Sequence, residues 1–179
     1  IPMTGAVINA INIRLEPQTI AYILEHSDAK LFIVDTQFSP VVEKALELIK
    51  KDIAIIDIVD EKAQLKEGEG KRLGKWTYEE FLSLGDKNYK WKRPKDEWQA
   101  ISLSYTSGTT GQPKGVISTH RNIVVGQCWL GALEWDLTRD DRMLCVTPMA
   151  HRIGIARLAG CFALGSTLII QEHFDPSET

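Results

Sequence analysis

Cysteine is scarce. Only Cys128, Cys145 and Cys161 occur in 179 residues, spaced 17 and 16 apart with no C-x-x-C pair. That pattern excludes a disulfide scaffold and a zinc ribbon, and it fits a reducing compartment. The first residues lack a basic n-region followed by an apolar run, so no secretory signal is read there. A clean hydrophobic span is also missing. The nearest stretch is Ile153 to Ile170, 18 residues with Arg157 as their one charge. Gly154, Gly160, Gly165, Ser166 and Thr167 divide it into an expected helix, turn and strand, where a membrane span needs about 20 apolar residues. Neither sign of charge dominates: 21 Lys plus Arg stand against 24 Asp plus Glu, a net −3. This balance excludes a generally basic surface that coats nucleic acid. No repeat of roughly 20–50 residues appears. There is no G-x-S-x-G and no acid placed to orient a His, which argues against a Ser-His-Asp hydrolase.

What is present is the material of one core. Hydrophobic residues make up 44% and charged residues 25%, the balance of a globular domain. Neither end reads as a natural end. The chain opens within an apolar stretch (Val7, Ile8, Ile11, Ile13) and stops at Asp175-Pro176-Ser177-Glu178, an order that starts a helix. The expectation is a piece cut from a larger protein. Pro17 opens a helix with Ile20, Ile23 and Leu24 on one face. Leu31 to Val34 reads as a buried strand. Ser39 and Pro40 start a second helix, with Val42, Ala45, Leu46 and Ile49 facing inward. Ile53, Ile55, Ile56, Ile58 and Val59 are too β-branched for a good helix and read as a strand. This alternation predicts an α/β fold of layered sheet and helices, its sheet largely parallel.

Residues 61–75 interrupt the rhythm with five basic residues, three acids and three glycines, the composition of a solvated loop. A helix follows, its start specified by a Thr77–Glu80 capping box and a Trp76–Phe81 staple, with Gly85 at its far end. Residues 86–98 interleave Lys87, Lys90, Lys92, Arg93 and Lys95 with Tyr89, Trp91 and Trp98. Asp86, Asp96 and Glu97 dilute the charge, so the aromatics are expected to pack the loop down and no nucleic-acid groove is read. The helix from Asn122 to Leu133 is expected to place Trp129, Leu130 and Leu133 in the core.

One segment carries chemistry. Ala100 to Tyr105 reads as a strand that runs into Thr106-Ser107-Gly108-Thr109-Thr110-Gly111-Gln112-Pro113-Lys114-Gly115. Glycines let backbone N–H groups approach a ligand closely, hydroxyls add donors, and a Lys supplies a mobile positive charge for phosphate. Successive N–H groups then form an anion-binding concavity. The order is not a Walker A loop, because Pro113 precedes Lys114 and Gly115 follows it. Val116-Ile117-Ser118 is strand-like, so a polyphosphate would be gripped by a loop between two strands.

The run from Leu103 to Gly115 resembles the AMP-binding signature of the adenylate-forming superfamily, which comprises acyl-CoA synthetases, peptide-synthetase adenylation domains and luciferases. The likeness extends over nearly the whole chain. Ala6 to Leu15, followed by Ile20 to Asp35, looks like the upstream part of an acyl-CoA ligase large domain. Pro148-Met149-Ala150-His151-Arg152-Ile153-Gly154 resembles the family's Pro-x-x-His-x-x-Gly segment. Family members are roughly three times this length, beyond a single domain. The resemblance therefore implies that residues 1–179 are part of the large N-terminal AMP-binding domain. It also implies that elements for adenine, ribose and the catalytic Lys of a small C-terminal domain lie downstream.

The activity so implied joins a carboxylic acid to ATP, releases pyrophosphate, and passes the acyl group from its adenylate to CoA. Thr106, Ser107, Thr109, Thr110 and Lys114 match phosphate-contacting positions, with Thr106 also a Mg²⁺ position. Gly108, Gly111 and Gly115 would give the loop reach and mobility. His151 matches a His at the edge of the acyl pocket, and Ala150 stands where many relatives carry an aromatic residue. His26, His120 and His173 are read as surface or packing residues. The expected partners are a small carboxylic acid, ATP and CoA, without nucleic acid or a transmembrane segment. The expected compartment is the cytoplasm, organellar targeting being left open. Two alternatives share the loop: an adenylation domain that loads a carrier protein, and a non-catalytic relative that only binds nucleotide.

Overall fold

A computed structural model describes residues 1–106 and 111–171, without the side chains of residues 127, 128 and 130–132. The expected helix start at Asp175 to Glu178 lies outside the described residues. Chain contacts divide the molecule into two units.

The first unit spans residues 13–90 together with residues 111–113. Helix α1 (Pro17–His26) begins on a proline, whose missing N–H costs nothing in a first turn, and buries Ile20, Ala21, Ile23 and Leu24. Strand β1 (Leu31–Asp35) pairs in parallel with β2 (Ala54–Ile58), and β2 pairs in parallel with the short β3 (Trp76–Thr77). Helix α2 (Ser39–Leu48) makes the crossover from β1 to β2 and buries Ser39, Val42 and Ala45. This is the β-α-β arrangement that the alternation predicts. Helix α3 (Tyr78–Ser83) starts at the predicted box: Glu80 N–H donates to Thr77 Oγ1 at 3.3 Å, and Thr77 N–H donates to Glu80 Oε2 at 2.7 Å. The bond from Thr77 N–H holds the Glu80 carboxyl below its ordinary range. A depressed acid stabilises the folded state above its unfolded pKa, and that contribution is lost as pH falls through the folded value. The staple rings of Trp76 and Phe81 lie 6.5 Å apart.

Residues 61–75 form the expected loop, but one anchor in it was not anticipated. Asp57 lies fully buried within β2 and accepts from Leu73 N–H at 3.0 Å and Gly74 N–H at 2.8 Å. Arg72 Nε stands 3.9 Å from the same carboxylate. Gly74 packs so tightly that a Cβ there would sit 2.2 Å from Ile55 O.

The second unit joins residues 1–12 to residues 91–106 and 114–171. Strand β4 (Ala100–Thr106) pairs antiparallel with β5 (Lys114–Thr119), and on its other side Ile8 forms a parallel bridge with Ser102. The antiparallel pair corrects the expectation of a largely parallel arrangement here. Residues 107–113 are too few for a crossover, which takes a dozen or more, so the chain must turn straight back. The third sheet is parallel again: β6 (Arg142–Cys145) and β7 (Thr167–Ile170) are joined through α6 (Arg152–Leu164). Between β5 and β6 run α4 (His120–Ile123), a π-helical stretch (Val124–Trp129) and α5 (Leu130–Trp135).

Several apolar side chains expected inside lie outside. Trp129 is 61% exposed and Leu133 64%, so neither joins a core; the side chain of Leu130 is outside the described residues. Tyr89, Trp91 and Trp98 are also exposed, correcting the expectation of a packed-down loop. Trp98 instead carries the Arg121 guanidinium over its ring, at 5.4 Å. The run from Ile153 to Ile170 divides as expected. Helix α6 ends at Gly165, which takes a left-handed φ of 75°, and β7 follows. Among the described residues no helix is long and apolar enough to cross a membrane.

Candidate active site

The phosphate-type loop hangs from the β4–β5 hairpin. Its neck is the register pair Thr106 and Lys114, the last residue of β4 and the first of β5. Thr106 Oγ1 makes a long 3.5 Å contact to Lys114 O, and both residues are exposed. The hairpin thus presents a hydroxyl and an ammonium-bearing side chain at the two ends of one loop. Of the residues between, Ser107, Gly108, Thr109 and Thr110 lie outside the described residues. Gly111 is exposed, and a Cβ on it would meet open space. Gly115 has a different reason for being glycine from the one expected. It lies within β5 opposite Tyr105, where a Cβ would stand 3.0 Å from Leu103 Cδ1 and 3.4 Å from the Tyr105 ring. Its role is close packing in a strand, not loop mobility.

His151 occupies the predicted junction. Strand β6 ends at Cys145, and His151 is the N-cap of α6, its Nδ1 accepting from Ile153 N–H at 3.3 Å. An imidazole that accepts through Nδ1 carries its proton on Nε2, so Nε2–H is the donor available to a ligand. The residue is exposed and follows the carboxyl end of a parallel strand, where open α/β sheets bind ligands. His26 belongs to α1, where its ring stacks on Tyr22 at 5.2 Å, and His120 opens α4; His173 lies outside the described residues.

The spacing Pro-x-x-His-x-x-Gly has a steric basis. Pro148 O accepts from His151 N–H at 2.9 Å, which closes a turn before the helix. A Cβ on Gly154 would lie 2.7 Å from Pro148 O and 2.8 Å from Met149 Cα, so only glycine lets α6 start against that turn. Alanine in a helix interior ordinarily gains about 1 kcal/mol over glycine. Here Gly154→Ala is expected to destabilise by about 2 kcal/mol through overpacking and to shift His151. Thermal unfolding of the full-length variant checks this; an unchanged or raised midpoint would show that the turn yields freely.

Among the described residues, no group of three or more His, Cys, Asp or Glu converges as a metal site. Cys145 and Cys161 are buried free thiols.

The profile of the AMP-binding enzyme family matches residues 1–179. A 2-methylpropanoate–CoA ligase of Humulus lupulus is 35% identical over 178 residues, covering 98% of this chain and 32% of the relative. An acetate–CoA ligase of the same plant is 38% identical over 177 residues, covering 94% of this chain and 31% of the relative. Among solved structures, an anthranilate CoA ligase in complex with anthranoyl-AMP superposes with a TM-score of 0.79 at 24% identity, over 96% of this chain and 31% of its own. A luciferase-like enzyme from the nonluminescent mealworm Zophobas morio gives 0.74 at 22%, over 98% and 38%. These two show the fold. The chain spans about a third of the length of the curated relatives it matches. With the family profile covering every residue and relatives above 30% identity, the chain belongs to the AMP-binding enzyme family.

Proposed function

We propose that this chain supplies the pyrophosphate side and part of the acyl pocket of an acid–thiol ligase, which activates a carboxylic acid with ATP and transfers it to CoA. The observation that carries the reading is the hairpin neck, with Thr106 and Lys114 paired at either end of the hydroxyl- and glycine-rich loop. The CoA ligases among the relatives support CoA as the acceptor in preference to a carrier protein. Attack of the carboxylate on the α-phosphorus of ATP forms the acyl-adenylate and expels pyrophosphate. Charge builds on the departing phosphates, so preorganised donors there lower the barrier. Ser107, Thr109 and Thr110 would donate hydroxyls, Gly108 and Gly111 would let N–H groups approach, and the Lys114 ammonium would hold the leaving group. His151 would donate from Nε2 to the substrate carboxylate or adenylate at the pocket edge.

Mg²⁺, when bound, would neutralise phosphate charge. That ion is usually held by one or two protein ligands with substrate phosphates and water, and an exposed Thr106 hydroxyl fits such partial ligation. The cytoplasm is the proposed compartment, supported by the free thiols of Cys145 and Cys161.

The test is acid-dependent exchange of labelled pyrophosphate into ATP by the full-length protein, followed by acid-dependent loss of CoA thiol. Exchange with thiol loss supports the ligase. Exchange without thiol loss points to another acceptor, and no exchange with any acid rejects the reading. The 179-residue chain alone is expected to give no exchange, since positioning requires the adenine, ribose and lysine elements that the family resemblance puts downstream.

A further inference from the structure

The cavity beside α6 bears on substrate choice. Among the described residues it measures about 180 Å³ and is lined by Gly126 of the π-helical stretch, Trp135 of α5, Met143 of β6 and Ala156, Arg157 and Gly160 of α6. Ligand pockets usually run to about 300–1,000 Å³, so this space suits one end of a ligand. The room comes from small residues: a Cβ on Gly126 would meet nothing within 4 Å. π-helical turns, rare elsewhere, recur at functional sites.

A cavity made for hydrocarbon has no use for Arg157. This side chain is half-buried, and its guanidinium carbon lies 4.0 Å from the centroid of the Trp135 ring. Among the described residues it forms no ion pair. Stacking fixes the guanidinium plane while leaving its edge N–H groups free to bind a planar carboxylate in bidentate fashion. Glu134 also lines the cavity, but it is exposed, and water and salt screen it. Arg157 is the sixth residue after the His151 cap, so it lies about 9 Å along the helix axis. An extended carbon chain covers that in about seven bonds, at ~1.3 Å each. Ile153 and Ala156 share a face of α6 with Arg157 and precede it in the helix, on the side of the His151 cap.

We propose that this cavity receives the far end of the acid, and that the preferred acid carries a second carboxylate there, bound by Arg157. The substrate class is then a medium-chain α,ω-dicarboxylic acid. This rests on the acid–thiol ligase reading and goes beyond it in naming the distal group.

The test compares kcat/KM in pyrophosphate exchange for straight-chain monocarboxylic and dicarboxylic acids of equal length. It uses the full-length wild type, Arg157→Gln and Arg157→Lys. The wild type should favour the dicarboxylic acid. Arg157→Gln should lower the dicarboxylic-to-monocarboxylic ratio between about tenfold and a hundredfold, the range for a hydrogen bond to a charged group. Arg157→Lys should restore only part of it, because lysine lacks the planar fork. A second reading needs no variant: the dicarboxylic acid should protect the wild type against thermal unfolding more than its monocarboxylic partner does. Monocarboxylic turnover with an unchanged ratio, or equal protection by both acids, overturns the Arg157 assignment while the ligase reading stands. No exchange with any acid overturns both.

Discussion

Replacing Asp57 by alanine is expected to cost the full-length protein about 3 kcal/mol of stability. The substitution removes a fully buried carboxylate and leaves the Leu73 and Gly74 N–H groups without their acceptor. Each buried donor left unpaired costs roughly 1–3 kcal/mol, far more than the net gain from an ordinary hydrogen bond. Arg72 adds little, since it is half-exposed and 3.9 Å away. Asp57→Asn keeps one oxygen that can accept, so it should lose about half as much. Chemical denaturation of the three proteins measures the difference, and protease cleavage within residues 61–75 reports the loop directly. Equal midpoints and equal cleavage rates for wild type and Asp57→Ala would mean that the loop holds itself in place without this anchor.

Asp57 also marks a limit of reading the sequence. The isoleucines around it carry an unmistakable β-branched signal, and β2 forms where that signal lies. The acid in their midst is the available hint, because a charge in a buried strand needs partners. Its partners, however, are backbone groups 16 and 17 residues away, which no local periodicity encodes. The same division runs through the rest of the chain. Local signals placed α1, α2 and the α3 capping box, since proline positions and a Thr-x-x-Glu spacing act within one turn. The parallel pairing of β1 with β2 was legible in the β-α-β alternation, whereas the antiparallel β4–β5 pair was not read, although the seven-residue link between Thr106 and Lys114 accounts for it.

Burial was the least legible property. Trp129 and Leu133 look like a core stripe on residue type, yet both are exposed, because a stripe does not say what covers it. The candidate site divides in the same way. The loop announced itself through composition, and the junction at His151 through a proline, a histidine and a glycine at fixed spacing. The close approach of Gly154 to Pro148 O explains that spacing only once the turn is seen. Arg157 could be read as nothing more than an interruption in an apolar run until Trp135 was found beneath its guanidinium.

In the full-length protein, Lys114→Ala is expected to slow adenylation about 100-fold while slowing thioester formation from pre-made acyl-adenylate less than about threefold, because its charge matters only while pyrophosphate departs. The location supports such a split. Lys114 begins β5, exposed, opposite Thr106, with its backbone fixed by strand pairing. A truncation there removes an ammonium group and a flexible stem without emptying a core, so folding should be preserved. Losing one preorganised donor to developing charge costs roughly 3 kcal/mol, which is the hundredfold expected in the first half-reaction. In the proposed second half-reaction the leaving group would be AMP, with pyrophosphate already gone, so the same side chain would have no charge to stabilise. Lys114→Arg keeps the charge but changes the donor geometry, and it should fall between wild type and alanine. Single-turnover measurement of each half-reaction separates these cases. Equal losses in both would remove Lys114 from the chemistry and leave it as a residue that only shapes the hairpin.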